Sequence, residues 1–150
     1  MKKIGALGED IAENHLKTKK FEIIARNFHC KYGEIDIIAK KNDTIHFFEV
    51  KTRRENSINE PVESITRQKL NRIIKSAMTF MSLYGSTGLD ALEEKKRKSP
   101  LLENDFKKVK EKLSTIKSWR IFLIGILLHG DKMGGRKSTE IEEIEMLDIC

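Results

Sequence analysis

Gly33-Glu34-Ile35-Asp36-Ile37-Ile38-Ala39, followed by Phe47-Phe48-Glu49-Val50-Lys51-Thr52-Arg53, decides how this 150-residue chain folds. Both runs are dense in β-branched and aromatic residues, the composition of strands. Lys41-Asn42-Asp43 lies between them and suits a tight hairpin loop. The reading is therefore a strand over 34–40 and its antiparallel partner over 44–52. Side chains alternate faces along a strand, so Glu34 shares a face with Asp36, and Glu49 with Lys51. A turn centred between Asn42 and Asp43 sets Asp36 opposite Glu49 and Glu34 opposite Lys51. Opposed residues hold their Cβ atoms ~4.5–5.5 Å apart. Ile35, Ile37, Phe48 and Val50 fall on one face by this alternation, and Ile38, Ile45 and Phe47 on the other. The hairpin therefore reads as partly buried on both sides.

Two facing carboxylates repel and weaken a hairpin unless something offsets the cost. A divalent cation does so, because Mg²⁺ binds through one or two carboxylates and completes its shell with substrate phosphate oxygens. Lys51 adds a positive charge beside that pair, where it can stabilise an attacking hydroxide or the charge developing on phosphorus. The competing reading is a surface hairpin with solvated ion pairs worth ~0–1 kcal/mol each. The apolar flanks weigh against it, since acids among buried neighbours are costly and tend to be kept for chemistry.

Working outward, residues 4–19 read as an amphipathic helix with Ile4, Leu7, Ile11, Ala12 and Leu16 on one side. Glu9 lies at the edge of that stripe. Residues 21–30 read as a strand. From Val62 a long helix runs to about Tyr84, burying Leu70, Ile73, Ala77, Phe80, Met81 and Tyr84. Residues 89–117 are dense in Lys and Glu and include Lys95-Lys96-Arg97-Lys98. They read as an insertion, either charged helix or partly disordered, whose basic tetrad is first a solvated charge run and second a phosphate grip. Residues 119–128 form an apolar strand, 129–137 a Gly-rich loop, and 140–149 a final strand or short helix. No repeat and no second domain is visible, so 1–150 reads as one domain.

The net charge of +6 favours anionic partners, nucleic acid first and acidic membrane surfaces second. Arg67, Arg72 and Lys75 can contact backbone phosphates or serve as a solvated helix flank. Cys30 and Cys150 are too few for a disulfide scaffold and lack zinc-site spacing. The four histidines show no metal-ligand spacing. No apolar stretch follows Met1-Lys2-Lys3, and the run 121–128 is far too short for a bilayer, so a soluble cytoplasmic protein without membrane contact is expected.

Gly8-Glu9, the two strand runs and Ser64-Ile65-Thr66-Arg67-Gln68-Lys69 together resemble the successive motifs of the YraN family. These are small bacterial proteins related to archaeal Holliday junction resolvases, within the restriction-endonuclease-like PD-(D/E)xK superfamily. The resemblance runs from about residue 4 to 84 and resumes near Arg120. It implies an α/β fold with a mixed central sheet flanked by helices and the acids on the second and third strands. It implies Asp36 and Glu49 as metal ligands, Lys51 as catalytic lysine, and Glu9 as the acid that can complete a Mg²⁺ or Mn²⁺ site. Arg53, Arg67, Lys69 and Arg72 are then the candidate nucleic-acid contacts. The expected activity is metal-dependent hydrolysis of DNA phosphodiester bonds, with branched DNA a candidate substrate and RNA open, and with a homodimer by analogy. Two alternatives stand beside it: a non-catalytic nucleic-acid-binding module of the same fold, and a protein-interaction adaptor using the charged insertion. Family members usually carry Arg-Phe-Asp on the late strand, where this chain reads Arg120-Ile121-Phe122-Leu123.

Overall fold

The alternating runs settle into strands and the 3.6-period runs into helices. The computed structural model describes residues 4–55, 65–84, 108, 111–129 and 138–149. In chain order the elements are α1 (Ile4–Thr18), β1 (Glu22–Cys30), β2 (Gly33–Lys41), β3 (Thr44–Arg54), α2 (Arg67–Tyr84), β4 (Ser118–Leu128) and β5 (Thr139–Ile149). The strands form one five-stranded sheet in the order β1-β2-β3-β4-β5. β3 and β4 run parallel, and the other neighbours are antiparallel. A parallel pair needs a crossover between its strands, and the chain between β3 and β4 contains α2. This is the expected α/β architecture, a mixed sheet with helices and a restriction-endonuclease-like layout.

Two apolar clusters cover the two faces of the sheet. Ala12 and Leu16 of α1 pack with Ile37, Ala39, Phe48, Ile124 and Ile126. Ile73, Ala77, Phe80 and Tyr84 of α2 pack with Phe28, Ile38, Phe47 and Ile121. Phe80 is the hub of the second cluster, with ring centroids 5.2 Å from Phe28, 5.8 Å from Phe47 and 4.8 Å from Tyr84. Burying such a ring stabilises the fold by about 1.5–3 kcal/mol.

α1 approaches β3 closely because residue 8 is glycine. A Cβ there would meet Thr52 Oγ1 at 1.6 Å. The far end of α1 is tied to β5, where Glu143 takes hydrogen bonds from Lys19 Nζ at 2.7 Å and from His15 Nε2. Burial alone would raise the Glu143 carboxyl, but these two partners outweigh it and hold the pKa below the ordinary value.

Two expectations change, one open alternative is decided, and one reading lies mostly outside the described residues. Ile35 packs in the α2-side cluster, whereas strict alternation would place it with Ile37 on the α1 side, so the strand turns at Asp36. Helix α2 begins at Arg67: Ile65 and Thr66 lie before it, and Thr66 Oγ1 caps it by accepting the Lys69 N–H at 3.1 Å. Of the two alternatives for the final segment, strand or short helix, the structure has the strand. Most of the insertion over 89–117, with its basic tetrad, lies outside the described residues, as does most of the Gly-rich loop. The insertion's end is not loose: Leu113 is fully buried in the α2-side cluster. No helix among the described residues is long and apolar enough to cross a membrane.

Candidate active site

β2 and β3 pair in the expected register, from Lys41 opposite Thr44 to Ile37 opposite Phe48. The ladder stops there among the described residues, while β3 continues beside β4 as far as Arg54 opposite Leu128. The two strands therefore part at Asp36 and Glu49, and the sheet opens into a fork. Asp36 sits in its crotch. Its Oδ2 accepts the backbone N–H of Val50 at 2.7 Å, so a side chain takes the place of a ladder carbonyl. The expected opposition of Glu34 and Lys51 does not form. Beyond the fork Glu34 stays with β1, opposite His29, and its Oε2 lies 3.4 Å from His29 Nδ1.

The fork strains the ionised form of Asp36. The residue is only 8% exposed. Burial, then the charge of Glu49, pushes its pKa up to about 7; Glu9 and Glu34 add to the rise and the Val50 N–H opposes it. Glu49 is served on one side only. Its Oε1 lies 3.0 Å from Lys69 Nζ of α2. Its Oε2 is buried without a hydrogen-bond partner among the described residues. An orphaned carboxylate oxygen beside a second buried acid suits a hard divalent cation. Asp36 and Glu49 would hold it. No set of three His, Cys, Asp or Glu side chains among the described residues is gathered tightly enough to form a complete metal cage. Mg²⁺ does not require one, since it is commonly bound by one or two carboxylates with water and phosphate.

The remaining candidates fall into separate groups. Glu9 Oε2 accepts hydrogen bonds from Arg26 Nη2 and Asn27 Nδ2, each at 3.2 Å, and acts on Asp36 through its field. Lys51 is half-buried on β3. Val50 packs in the α1-side cluster and Thr52 faces Gly8, so alternation puts Lys51 on the α2 side with Glu49. Arg53 is half-buried two residues further along β3. Arg67 and Arg72 are exposed on α2, and Lys69 is half-buried between them.

Sequence reasoning missed one residue and one pairing. Arg26 of β1 gathers Asp10 at 2.9 Å, Glu13 at 2.7 Å and Glu9 from one side of α1. Burial disfavours its charge, yet the hydrogen bonds to Asp10 and Glu9 outweigh that and raise its pKa above the ordinary value. An arginine two residues after the apolar Ile23-Ile24 pair, with three acids along the preceding helix, was the available signal. The second is Lys69 as partner of Glu49: its helix position was legible, but the acid it meets lies twenty residues away in sequence.

A model of the uncharacterised protein family UPF0102 matches residues 8–121, a span that contains the whole fork. A UPF0102 protein of Syntrophomonas wolfei is 39% identical over 80 residues, which cover 53% of this chain and 70% of that protein. One from Geotalea uraniireducens is 47% identical over 81 residues, covering 54% of this chain and 64% of that protein. One from Campylobacter lari is 46% identical over 103 residues, covering 67% of this chain and 90% of that protein.

Proposed function

The chain belongs to the uncharacterised protein family UPF0102, the YraN family, and from that premise we propose that it is a divalent-cation-dependent phosphodiesterase acting on nucleic acid, DNA first. The observation that carries the proposal is the forked β2–β3 pair. It buries Asp36 beside Glu49 and leaves Glu49 Oε2 without a partner among the described residues. A folded protein that keeps this repulsion gains nothing in stability from it, so the pair is explained by a ligand that neutralises both acids.

A bound Mg²⁺ or Mn²⁺ would polarise a phosphoryl oxygen and lower the pKa of an attacking water. Asp36 and Glu49 would hold the ion, and Asp36 must be ionised to do so. Its pKa near 7 therefore makes ion binding strengthen as pH rises through neutrality. The Val50 N–H fixes the Asp36 carboxylate in one orientation. Lys51 places an ammonium on the same side of β3 as Glu49, where it favours negative charge at a reacting phosphate. Lys69 partly offsets Glu49 before substrate arrives. Arg53, Arg67 and Arg72 supply positive charge for flanking phosphates, and the net charge of +6 draws the polyanion in.

The test is incubation of the purified protein with labelled branched, nicked and single-stranded DNAs in Mg²⁺, Mn²⁺ or EDTA. Cation-dependent products are expected, lost in Asp36→Ala while fold and much DNA affinity persist. Equal cleavage by Asp36→Ala refutes the assignment. The Lys69–Glu49 ion pair favours a second reading, a nucleic-acid-binding module without turnover. That reading predicts salt-sensitive binding and no product with either cation.

A further inference from the structure

Two clefts follow one another along the seam between α2 and the turn that joins β1 to β2. The first, about 300 Å³, opens beside Lys69 and is lined by Cys30, Gly33, Glu34 and Arg72 among others. The second, about 460 Å³, is lined by Lys31, Tyr32, Lys75 and Met78 among others. Their linings interleave on the turn and succeed one another on α2, so the second continues the first. Lys69, Arg72 and Lys75 recur every third residue of α2, spanning about 9 Å along its axis. The track begins at the acid pair, because Lys69 is also the partner of Glu49.

The far cleft has an unusual composition for a solvated surface. Tyr32 is 36% exposed and Met78 57% exposed. Lys31 Nζ lies 4.9 Å and Lys75 Nζ 5.6 Å from the Tyr32 ring centroid. Neither ammonium has an acidic partner among the described residues. Glu34, the acid of the near cleft, is faced by His29 at 3.4 Å. Gly33 has φ +147°, a conformation that L side chains rarely adopt, and it shapes the turn that presents Tyr32.

We infer that this seam seats an unpaired nucleic-acid strand leading to the acid pair, with a base stacked on Tyr32 and phosphates on Lys75, Arg72 and Lys69. An exposed aromatic ring flanked by two ammonium groups is the chemistry that grips single strands, because an unpaired base offers a free π-face and a duplex hides it. The inference rests on the phosphodiesterase reading and narrows its substrate to nucleic acid with a single-stranded segment beside the cleaved bond.

The experiment is fluorescence anisotropy in EDTA, where nothing is cut. The probes are labelled oligodeoxythymidine, oligouridine and a DNA duplex of equal length. The expected result is that Tyr32→Ala weakens single-strand binding by about five- to a hundredfold and leaves the duplex unchanged. Tyr32→Phe, which keeps the ring, retains wild-type affinity. Lys75→Glu weakens binding and flattens its salt dependence. Either single strand bound in this way supports the inference, and the tighter of the two identifies the sugar. Wild-type protein without single-strand preference, or Tyr32→Ala binding single strands as wild type does, overturns it. Binding in EDTA is independent of turnover. Tyr32-dependent strand binding without any cleavage therefore refutes the phosphodiesterase alone, and cleavage with Tyr32-independent binding refutes this inference alone.

Discussion

Asp36→Asn is expected to make the protein more stable at pH 8 and to change it little at pH 4. In the folded chain the Asp36 carboxyl holds its proton to about pH 7, against 3.8 for the free group, because it is buried and faces Glu49. Well below pH 4 it is protonated in both folded and unfolded chains and contributes nothing to pH dependence. Between those values the unfolded chain releases the proton first, so ionisation favours unfolding and stability falls as pH rises. Above 7 the whole penalty is present, and at about 1.36 kcal/mol for each pH unit it amounts to about 4 kcal/mol. Relaxation and water entry reduce this, leaving about 2–4 kcal/mol as the working range. Asparagine keeps an oxygen for the Val50 N–H and gives Glu49 an uncharged neighbour. For a chain of this size the gain corresponds to a rise in Tm of about 5–15 °C. The assay is thermal and urea denaturation of both proteins from pH 4 to pH 8, without divalent ions and then with Mg²⁺. The difference between variant and wild type should grow through pH 4–7 and shrink when Mg²⁺ stabilises the wild type. A variant no more stable than wild type at pH 8, with no pH trend, refutes the idea that burial beside Glu49 strains this acid.

Gly8→Ala should lose about 1–3 kcal/mol in urea denaturation, since the new methyl meets Thr52 Oγ1 and α1 must lift from β3; unchanged stability would show that α1 is free to shift. Phe80→Ala should cost about 3–5 kcal/mol by the same measurement, because the ring joins Phe28, Phe47 and Tyr84. Lys69→Met should tighten Mn²⁺ binding severalfold in calorimetry, by removing a cation that competes for Glu49, while weakening DNA binding; weaker Mn²⁺ binding contradicts the placement of the ion.

Most of the fold was legible because its signals are local. The alternation in the two strand runs and the loop at Asn42-Asp43 set the β2–β3 register, and the observed ladder from Ile37–Phe48 to Lys41–Thr44 keeps it. The ladder's end was not legible. Nothing in the alternation of Ile35, Asp36 and Ile37 shows that the Asp36 carboxylate will accept a strand N–H and let the strands part. That is a tertiary event, in which Glu34 remains with β1 while β3 follows β4. Arg26 and the pairing of Lys69 with Glu49 escaped for the same reason: each ion pair joins two different elements. Thr66 as the cap of α2 was open to a closer reading, since a threonine before Arg67-Gln68-Lys69 is a familiar start signal.

The central claim is that Asp36 and Glu49 together hold one divalent cation. Titration of Mn²⁺ into the protein at pH 8, followed by electron paramagnetic resonance of the free ion, reads this directly. One site is predicted in the wild type, absent in Asp36→Ala and in Glu49→Ala. The same site count in all three proteins, or none in the wild type, contradicts the claim.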